Sequence, residues 1–584
     1  PENYNSIMEL FEILSNNKIE KIEILSFKYN KYNNNNSKNN IDIDAENILN
    51  KATGAIVAGK YFDTDGNLVQ GTTGDRNVNL DADREIINEG NIEALNNINT
   101  TGPKITNEQT GFIYSHNDTN MNNTDIINRG NVSSSNDTNI KSANLINEST
   151  GRINSSRNTD ITSTNINNAG ELIAANDVLI KTTGTTNNSG EILANRNVEI
   201  NRTKELGQMT NAEKTGTTNL TNTGTINASA KVLIAANEVN NVGGKIHSGT
   251  DIEIDTNKIN NTTGELVTNG NLKIDMTNTD NINHGNDMNV VGKVYGNQLI
   301  SIKNFNNIIN EQIDLMSNGD IYLESTQKDI INRKKIVAGQ DLTIKAETGK
   351  VTNKSATGEA ILQAGQDLTI DTITYDNDRS SKIIGGTGTG NINVDTALDN
   401  QGRIYATDGT MNININDGNS SFTNSNQVAV GGALNIKAST ITNKAHKLIY
   451  SKRAMTLDAM VGNIVNEAGA EILTTLGDMN LNANKGNVYN KATNIYGARI
   501  KSGGNMTITA INFYNEAVQS RYQDPQNLPN IIKTGSAAQI VAYLTQTDPL
   551  TKGKNLWKTL ETNGYLKIFL QMYIMIKFLQ LLQN

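Results

Sequence analysis

The sequence predicts an all-β fold, a right-handed parallel β-helix (solenoid) of about 20-residue repeats. Glycines recur at a near-constant spacing, and the residues between them alternate apolar and polar with the period of two of a half-buried strand. One such unit buries too few side chains to be stable alone, whereas stacked units pair each strand with its equivalent one turn away. A leucine-rich repeat has a similar period, but its leucine signature is absent.

The clearest unit covers residues 244–264. Within it, Ile252 and Ile254 alternate with Glu253 and Asp255, so we expect the isoleucines to face a core and the carboxylates to face outward.

Glycines mark the start of successive units, with spacings of 21, 19, 21, 19 and 20 by subtraction between the first six: Gly90, Gly111, Gly130, Gly151, Gly170 and Gly190, followed later by Gly224, Gly244, Gly264 and Gly285. Most units end in an apolar residue followed by asparagine: Ile87-Asn88, Ile127-Asn128, Ile146-Asn147 and Ile166-Asn167. The pattern predicts asparagine at one corner of every turn, where stacked asparagines can form hydrogen-bonded ladders.

A different part of the unit is best preserved in the second half, namely a glycine, an Asp or Asn two residues later, and two alternating apolar residues. Residues 338–344 recur letter for letter at 364–370, which places Asp341 and Asp367 26 residues apart. The wider spacing predicts longer loops in these units.

The expected organisation has four parts. Residues 1–40 form an irregular segment ending in an Asn-rich linker, and residues 41–85 form an irregular β entry region with a hairpin around Asp65-Gly66. Residues 86–516 form the β-helix. Residues 517–584 are a proline-containing segment whose apolar tail is either an amphipathic interfacial helix or a truncated end.

Composition narrows the function classes. The net charge of -9 is spread along the chain without a basic block, which argues against a nucleic-acid partner. The chain contains no cysteine, which suits a protein that crosses an oxidising compartment unfolded.

Two features resemble the haemagglutinin-repeat exoproteins similar to filamentous haemagglutinin, which Gram-negative bacteria secrete by the two-partner pathway. The tandem repeat over about residues 80–516 is the first. The second is a segment similar to the one after the repeat stem in these exoproteins, including contact-dependent growth inhibition effectors: Tyr543-Leu544-Thr545-Gln546-Thr547-Asp548-Pro549, then Lys554, Trp557 and Tyr565-Leu566. The family's Asn-Pro-Asn-Gly secretion motif is absent, so we expect a stem fragment.

The resemblance implies a secreted or outer-membrane-associated protein of a Gram-negative bacterium. It also implies export through an outer-membrane two-partner secretion transporter and binding to protein or glycan receptors on host or bacterial surfaces. We expect a non-catalytic adhesin stalk. The alternative is the stalk of a contact-dependent growth inhibition toxin without its C-terminal effector domain.

We expect no catalytic, cofactor-binding or metal-ligating residue. Recurring aspartates precede the strands and are expected to hydrogen-bond the backbone of turns: Asp177, Asp251, Asp320, Asp341, Asp367 and Asp478. The four histidines are scattered: His116, His247, His284 and His446. Two calcium-like stretches, residues 63–67 and 385–390, each lack a required ligand.

Loops that interrupt the stack are the predicted recognition elements. They are residues 201–216, 371–385 and 521–529.

Overall fold

The structure is a computed structural model that describes residues 22–24, 35–37, 39–62, 68–70, 76–210, 213, 219–276, 286–493 and 495–517. Within these ranges every regular element is a β-strand, and almost all of the strands pair in parallel with the equivalent strand one coil away. The predicted parallel β-helix is therefore confirmed. The described ranges contain no helix of the length and apolarity that crossing a membrane requires. The chain divides into two compact units, residues 1–382 and 383–584.

Each regular coil contains a short strand and a longer run that changes direction halfway. In the coil that starts with strand Phe112–Ser115, the long strand Thr119–Asn128 has buried residues at positions 1, 3, 5, 8 and 10. The buried residues are at odd positions up to position 5 and at even positions from position 8. In a straight strand every second residue is buried throughout, so the switch from odd to even positions marks a corner. Elsewhere the same run is split into two strands, as in Val178–Thr182 and Thr185–Asn188.

In the first unit, the short strands are Asn35–Ser37, Ala55–Ala58, Asn91–Ala94, Phe112–Ser115, Asn131–Ser134, Arg152–Ser155, Glu171–Ala174, Glu191–Ala194, Thr225–Ala228, Lys245–Ser248, Glu265–Thr268, Lys293–Gly296, Leu315–Ser317, Lys335–Ala338 and Ala360–Ala364. The strands of the long runs are Ile22–Ile24, Ile41–Asn50, Val78–Asn88, Ile98–Asn107, Thr119–Asn128, Thr138–Asn147, Thr159–Asn168, Val178–Thr182, Thr185–Asn188, Val198–Ile200, Asn219–Asn222, Lys231–Asn240, Asp251–Asn260, Asn271–Asp275, Met288–Asn289, Leu299–Phe305, Ile308–Asn310, Asp320–Ser325, Ile330–Asn332, Leu342–Asn353 and Leu368–Asn377.

In the second unit, the short strands are Arg403–Ala406, Gln427–Val430, Leu448–Ser451, Glu471–Thr474 and Arg499–Lys501. The strands of the long runs are Thr389–Val394, Leu398–Asn400, Thr410–Ile415, Phe422–Asn424, Leu434–Ala438, Ile441–Asn443, Met455–Ala459, Ile464–Asn466, Met479–Asn490 and Met506–Asn515. One more strand, Ser381–Gly385, crosses the boundary between the units.

The core consists of columns of aliphatic side chains, because equivalent positions of successive coils are in register. Ile226, Ile246, Leu266 and Val294 follow one another in paired strands, and each is at most 5% exposed. Burying one such side chain contributes about 1.5–3 kcal/mol. Branched side chains also favour extended backbone, so the residues that fill the core also favour the strands.

Inward asparagines form the predicted ladder at one corner. In the first unit each side-chain NH₂ donates to the next side-chain oxygen at 2.7–2.8 Å along Asn50, Asn88, Asn107, Asn128, Asn147, Asn168, Asn188, Asn222, Asn241 and Asn261. A shorter ladder joins Asn310, Asn332 and Asn353. The second unit has its own ladder through Asn400, Asn424, Asn443, Asn466, Asn490 and Asn515.

The ladder corrects one detail of the repeat assignment. The sequence placed Asn167 at the corner, but Asn168 occupies the ladder, and Asn167 faces outward, where it accepts a hydrogen bond from Asn187. Two adjacent asparagines offer the same chemistry, so only the strand register decides between them.

Regular stacking starts within the range predicted to be an irregular entry region. Strand Ile41–Asn50 pairs with Val78–Asn88, and Ala55–Ala58 pairs with Asn91–Ala94. The predicted hairpin is confirmed, since Lys60–Phe62 and Leu68–Gln70 pair antiparallel, although its turn lies outside the described residues. This hairpin lengthens the first coil and so hides its period.

The predicted loop at 371–385 is wrong, because most of it is strand. Residues Leu368–Asn377 and Ser381–Gly385 are strands, with a turn between them. Polar residues occupy inward positions here: Thr372 is 4% exposed and its hydroxyl accepts a hydrogen bond from the Val351 N–H at 3.1 Å. Internal hydrogen bonding of this kind lets the strand continue past Ile370, where the apolar alternation stops at Thr372.

Candidate binding surface

We use the term wall for the outward-facing side chains of the strands. The recurring aspartates lie where the wall meets a corner, and the predicted backbone hydrogen bond is confirmed, with one refinement, for five of the six. The backbone N–H that each carboxylate accepts belongs to the next coil rather than to its own turn. The carboxylate–nitrogen pairs are Asp177–Asn197 at 3.0 Å, Asp251–Asn271 at 3.1 Å, Asp320–Asp341 at 3.1 Å, Asp341–Asp367 at 3.0 Å and Asp478–Asn505 at 2.7 Å.

Asparagine and aspartate alternate freely in this row because both offer a side-chain oxygen. Asn97, Asp118, Asp137 and Asn158 each accept the backbone N–H one coil on, at 3.0–3.4 Å. The row joins neighbouring coils, and it spreads its carboxylates along the stack rather than bringing them to one point.

The described histidines occupy separate positions. His116 Nε2 lies 3.3 Å from Glu93, and His247 Nε2 lies 3.1 Å from Glu265. His446 packs edge-on against Tyr496, with 4.6 Å between ring centroids. His284 lies outside the described residues.

Neither calcium-like stretch gives an ion site in the described part of the chain. Residues 63–67 lie outside it. In the other stretch, the carbonyl oxygens of Gly386 and Gly388 accept the backbone N–H groups of Gly409 and Thr410, at 3.2 and 3.1 Å. Across the described ranges, no three His, Asp or Glu side chains are grouped so as to hold a metal ion.

The predicted loop at 201–216 leaves the stack after Ile200, and the chain rejoins it at Asn219. Its described part is anchored at Gly207 and Met209, which are buried, while Thr203, Lys204, Glu205 and Gln208 are exposed. Residues 202–210, which we call the strap, lie against the wall of the coils that follow, where Met209 is 1% exposed. Residues 211–212 and 214–218 lie outside the described residues, as does the predicted recognition loop 521–529.

Two contacts hold the strap on the wall. The Arg202 guanidinium, 5% exposed, lies 3.1 Å from Glu253, and the carboxylate of Glu253 also lies 3.3 Å from the Lys273 ammonium. The Gly207 N–H donates to the carboxylate of Asp255 at 3.0 Å. Asp255 was predicted to face solvent, but the strap covers it completely.

The rest of the wall is rich in amides. On the first unit, Asn139, Asn120, Asn99 and Asn79 donate side chain to side chain at 2.7–2.8 Å. On the second unit, Asn435 donates to Asn412 and Asn412 to Asn391 at 2.8 and 2.9 Å. Each face therefore presents hydrogen-bonding groups at the strand spacing of about 4.8 Å.

Comparison of the chain with family models, with curated proteins and with solved structures finds no match. The candidate binding surface consists of a regular polar wall, a docked strap and a few exposed aromatic side chains.

Proposed function

We propose that this chain is the non-catalytic stalk of an adhesin, secreted or displayed on a bacterial surface, that mediates attachment to host cells or to other bacteria. The observation that supports this most is the repeated wall, in which identical positions of many paired coils face outward in register. A repeated surface can bind weakly at many places, and simultaneous engagement multiplies weak affinities. The resemblance to haemagglutinin-repeat exoproteins supports the same proposal.

The scattered side-chain chemistry also favours binding over catalysis. The carboxylates of the corner row are each committed to a backbone N–H of the next coil. Catalysis requires an acid, a base or a nucleophile held within reach of one reacting atom.

The test is adherence of beads coated with the purified chain. We expect the beads to adhere to cultured epithelial cells or to Gram-negative bacteria, and free chain to compete with them. Beads coated with serum albumin are the control. Failure to adhere to any cell type would overturn the proposal, and so would time-dependent breakdown of the cell-surface polymer that the chain binds.

A further inference from the structure

An aromatic strip, which we define as Phe112, Tyr114 and His116, crosses the short-strand face of the first unit. The first two rings occupy the outward positions of strand Phe112–Ser115, and His116 follows at the corner. Ring centroids are 5.9 Å apart between Phe112 and Tyr114 and 4.8 Å apart between Tyr114 and His116. Aromatic residues make up 5% of the chain, so three rings in contact on the wall form a local concentration.

The Tyr114 ring lies along the wall rather than standing away from it. Its hydroxyl shares a hydrogen bond of 2.8 Å with Ser135 of the next coil. Ser133, the register partner of Tyr114, occupies an outward position and is nevertheless only 7% exposed, which fits a ring that reaches across it to Ser135. A ring covering the sheet on one side presents its other face to solvent, and Phe112 beside it is 37% exposed.

Polar groups lie on both sides of the rings. Asn91 and Asn131 are the register partners of Phe112, one on each neighbouring coil. The side-chain amide oxygen of each is buried while the residue as a whole is half-buried, so the NH₂ is the amide group that can meet a ligand. Glu93 lies against His116 at 3.3 Å, which places a carboxylate and an imidazole at one end of the strip.

This combination matches the two surfaces of a sugar ring. One face of a hexopyranose carries C–H groups with partial positive charge, which complement the negative face of an aromatic ring. The hydroxyl groups around its rim pair with amide donors and with carboxylate acceptors. We propose that the aromatic strip is a subsite for a hexopyranose unit of a surface glycan, which deepens the proposed adhesin function and rests on it.

The small size of the apolar area favours a sugar over a protein. A stable protein interface covers about 800 Å² on each partner around an apolar centre. Here the flanking coils place Asn91, Glu93, Asn131 and Ser133 opposite the two rings, so the apolar area is one strand wide. One or two sugar rings fit such an area.

The test is saturation-transfer NMR on the full chain, with methyl glycosides of glucose, galactose, mannose and N-acetylglucosamine as probes. We expect at least one glycoside to receive saturation at its ring C–H protons. Phe112→Ala and Tyr114→Ala should each weaken that binding at least about tenfold, since aromatic contacts in small sites dominate affinity.

Tyr295→Ala is the matched control, because Tyr295 occupies the same outward position as Tyr114 in strand Lys293–Gly296 and bonds Asn297 instead. It should leave glycoside binding unchanged, and all variants should keep wild-type hydrogen exchange in the coils. Absence of signal for every glycoside, or equal signals in Phe112→Ala and wild type, would overturn the subsite.

Bead adherence separates this proposal from the proposed function. If beads carrying Phe112→Ala or Tyr114→Ala still adhere, the aromatic strip is not the receptor subsite, but the proposed adhesin function stands. If those variants lose adherence and no glycoside gives an NMR signal, the ligand of the strip is not a hexopyranose, and a protein receptor is indicated. If wild-type beads fail to adhere, the adhesin proposal fails, and the NMR result still decides whether the strip binds a hexopyranose.

Discussion

At the residue scale, stability depends on polar side chains buried inside the coils. Asn147 accepts from Asn128 at 2.8 Å and donates to Asn168 at 2.7 Å, and all three are buried. Asn147→Ala leaves a donor and an acceptor without these partners in a dry corner, so we expect a local loss of about 1–3 kcal/mol. Hydrogen exchange should accelerate in residues 131–188.

The matched change is Asn139→Ala on the wall. Asn139 makes the same type of bond, to Asn120 at 2.8 Å, but water can replace it. We expect almost no change in exchange, and equal effects of the two substitutions would contradict a stabilising role for the buried ladder.

Asp137 gives the corner row a pH dependence. Hydrogen bonding from the Arg157 guanidinium, with help from the Asn158 N–H, holds the pKa of the Asp137 carboxyl below its ordinary value of 3.8 against the opposing effect of burial. The unfolded chain therefore binds more protons in this range, and stability rises with pH. The stabilisation by the ionised Asp137 is fully present above pH 3.8, the ordinary pKa of the carboxyl. It is lost as the pH falls through the lower pKa that the carboxyl has in the folded state.

Asp137→Asn should accordingly lower the free energy of unfolding at pH 7 by a small amount, because Arg157 is exposed, and the difference from wild type should shrink as the pH falls below 3.8. Asp118→Asn is the control, since Asp118 occupies the same row and forms no ion pair among the described residues. If Asp137→Asn destabilised the chain equally at every pH, the ionised Asp137 carboxylate would not be the source of the stabilisation.

At the scale of elements, one of the two contacts that hold the strap involves a buried charge. Glu253→Gln removes the negative partner of Arg202, whose side chain is 5% exposed. Removing one partner of a buried pair costs about 3–5 kcal/mol, because the other charge stays buried without it. We expect the strap to detach, with faster hydrogen exchange and new proteolytic cleavage in residues 202–210 while the strands stay protected.

Glu238→Gln is the matched control for the strap. Glu238 pairs with Lys258 at 2.9 Å, but that lysine is 53% exposed, so water replaces the lost partner. Cleavage in the strap after Glu238→Gln would show that the loss of any wall carboxylate releases it, and the Arg202 explanation would be wrong.

The elements also show what sequence alone can predict. Alternation identified the inward Ile252 and Ile254, because burial in a strand has a fixed period of two. It failed for Asp255, because the strap that covers Asp255 comes from about 50 residues earlier in the chain, and periodicity carries no such information. The outward positions of Phe112 and Tyr114 follow the same alternation, but which residues of the next coil lie beside them depends on the register, which the sequence analysis did not supply.

At the scale of the whole molecule, the described strands of each coil pair with those of the neighbouring coils, so damage should stay local. Gly130 tests this, because a Cβ there would lie 2.2 Å from the Gly111 carbonyl oxygen and 2.3 Å from that of Glu108. Backbone atoms of a stacked coil cannot yield without separating from the next coil. Gly130→Ala should therefore remove exchange protection from the adjoining coils.

The second unit should not respond to Gly130→Ala, because its coils hold a separate asparagine ladder from Asn400 onward. We expect unchanged exchange in residues 422–466, measured in the same sample. Gly358→Ala is the control, since nothing lies within 4 Å of a Cβ at that position. Loss of protection in both units after Gly130→Ala would mean that the chain unfolds as one cooperative body, contrary to nearest-neighbour stacking.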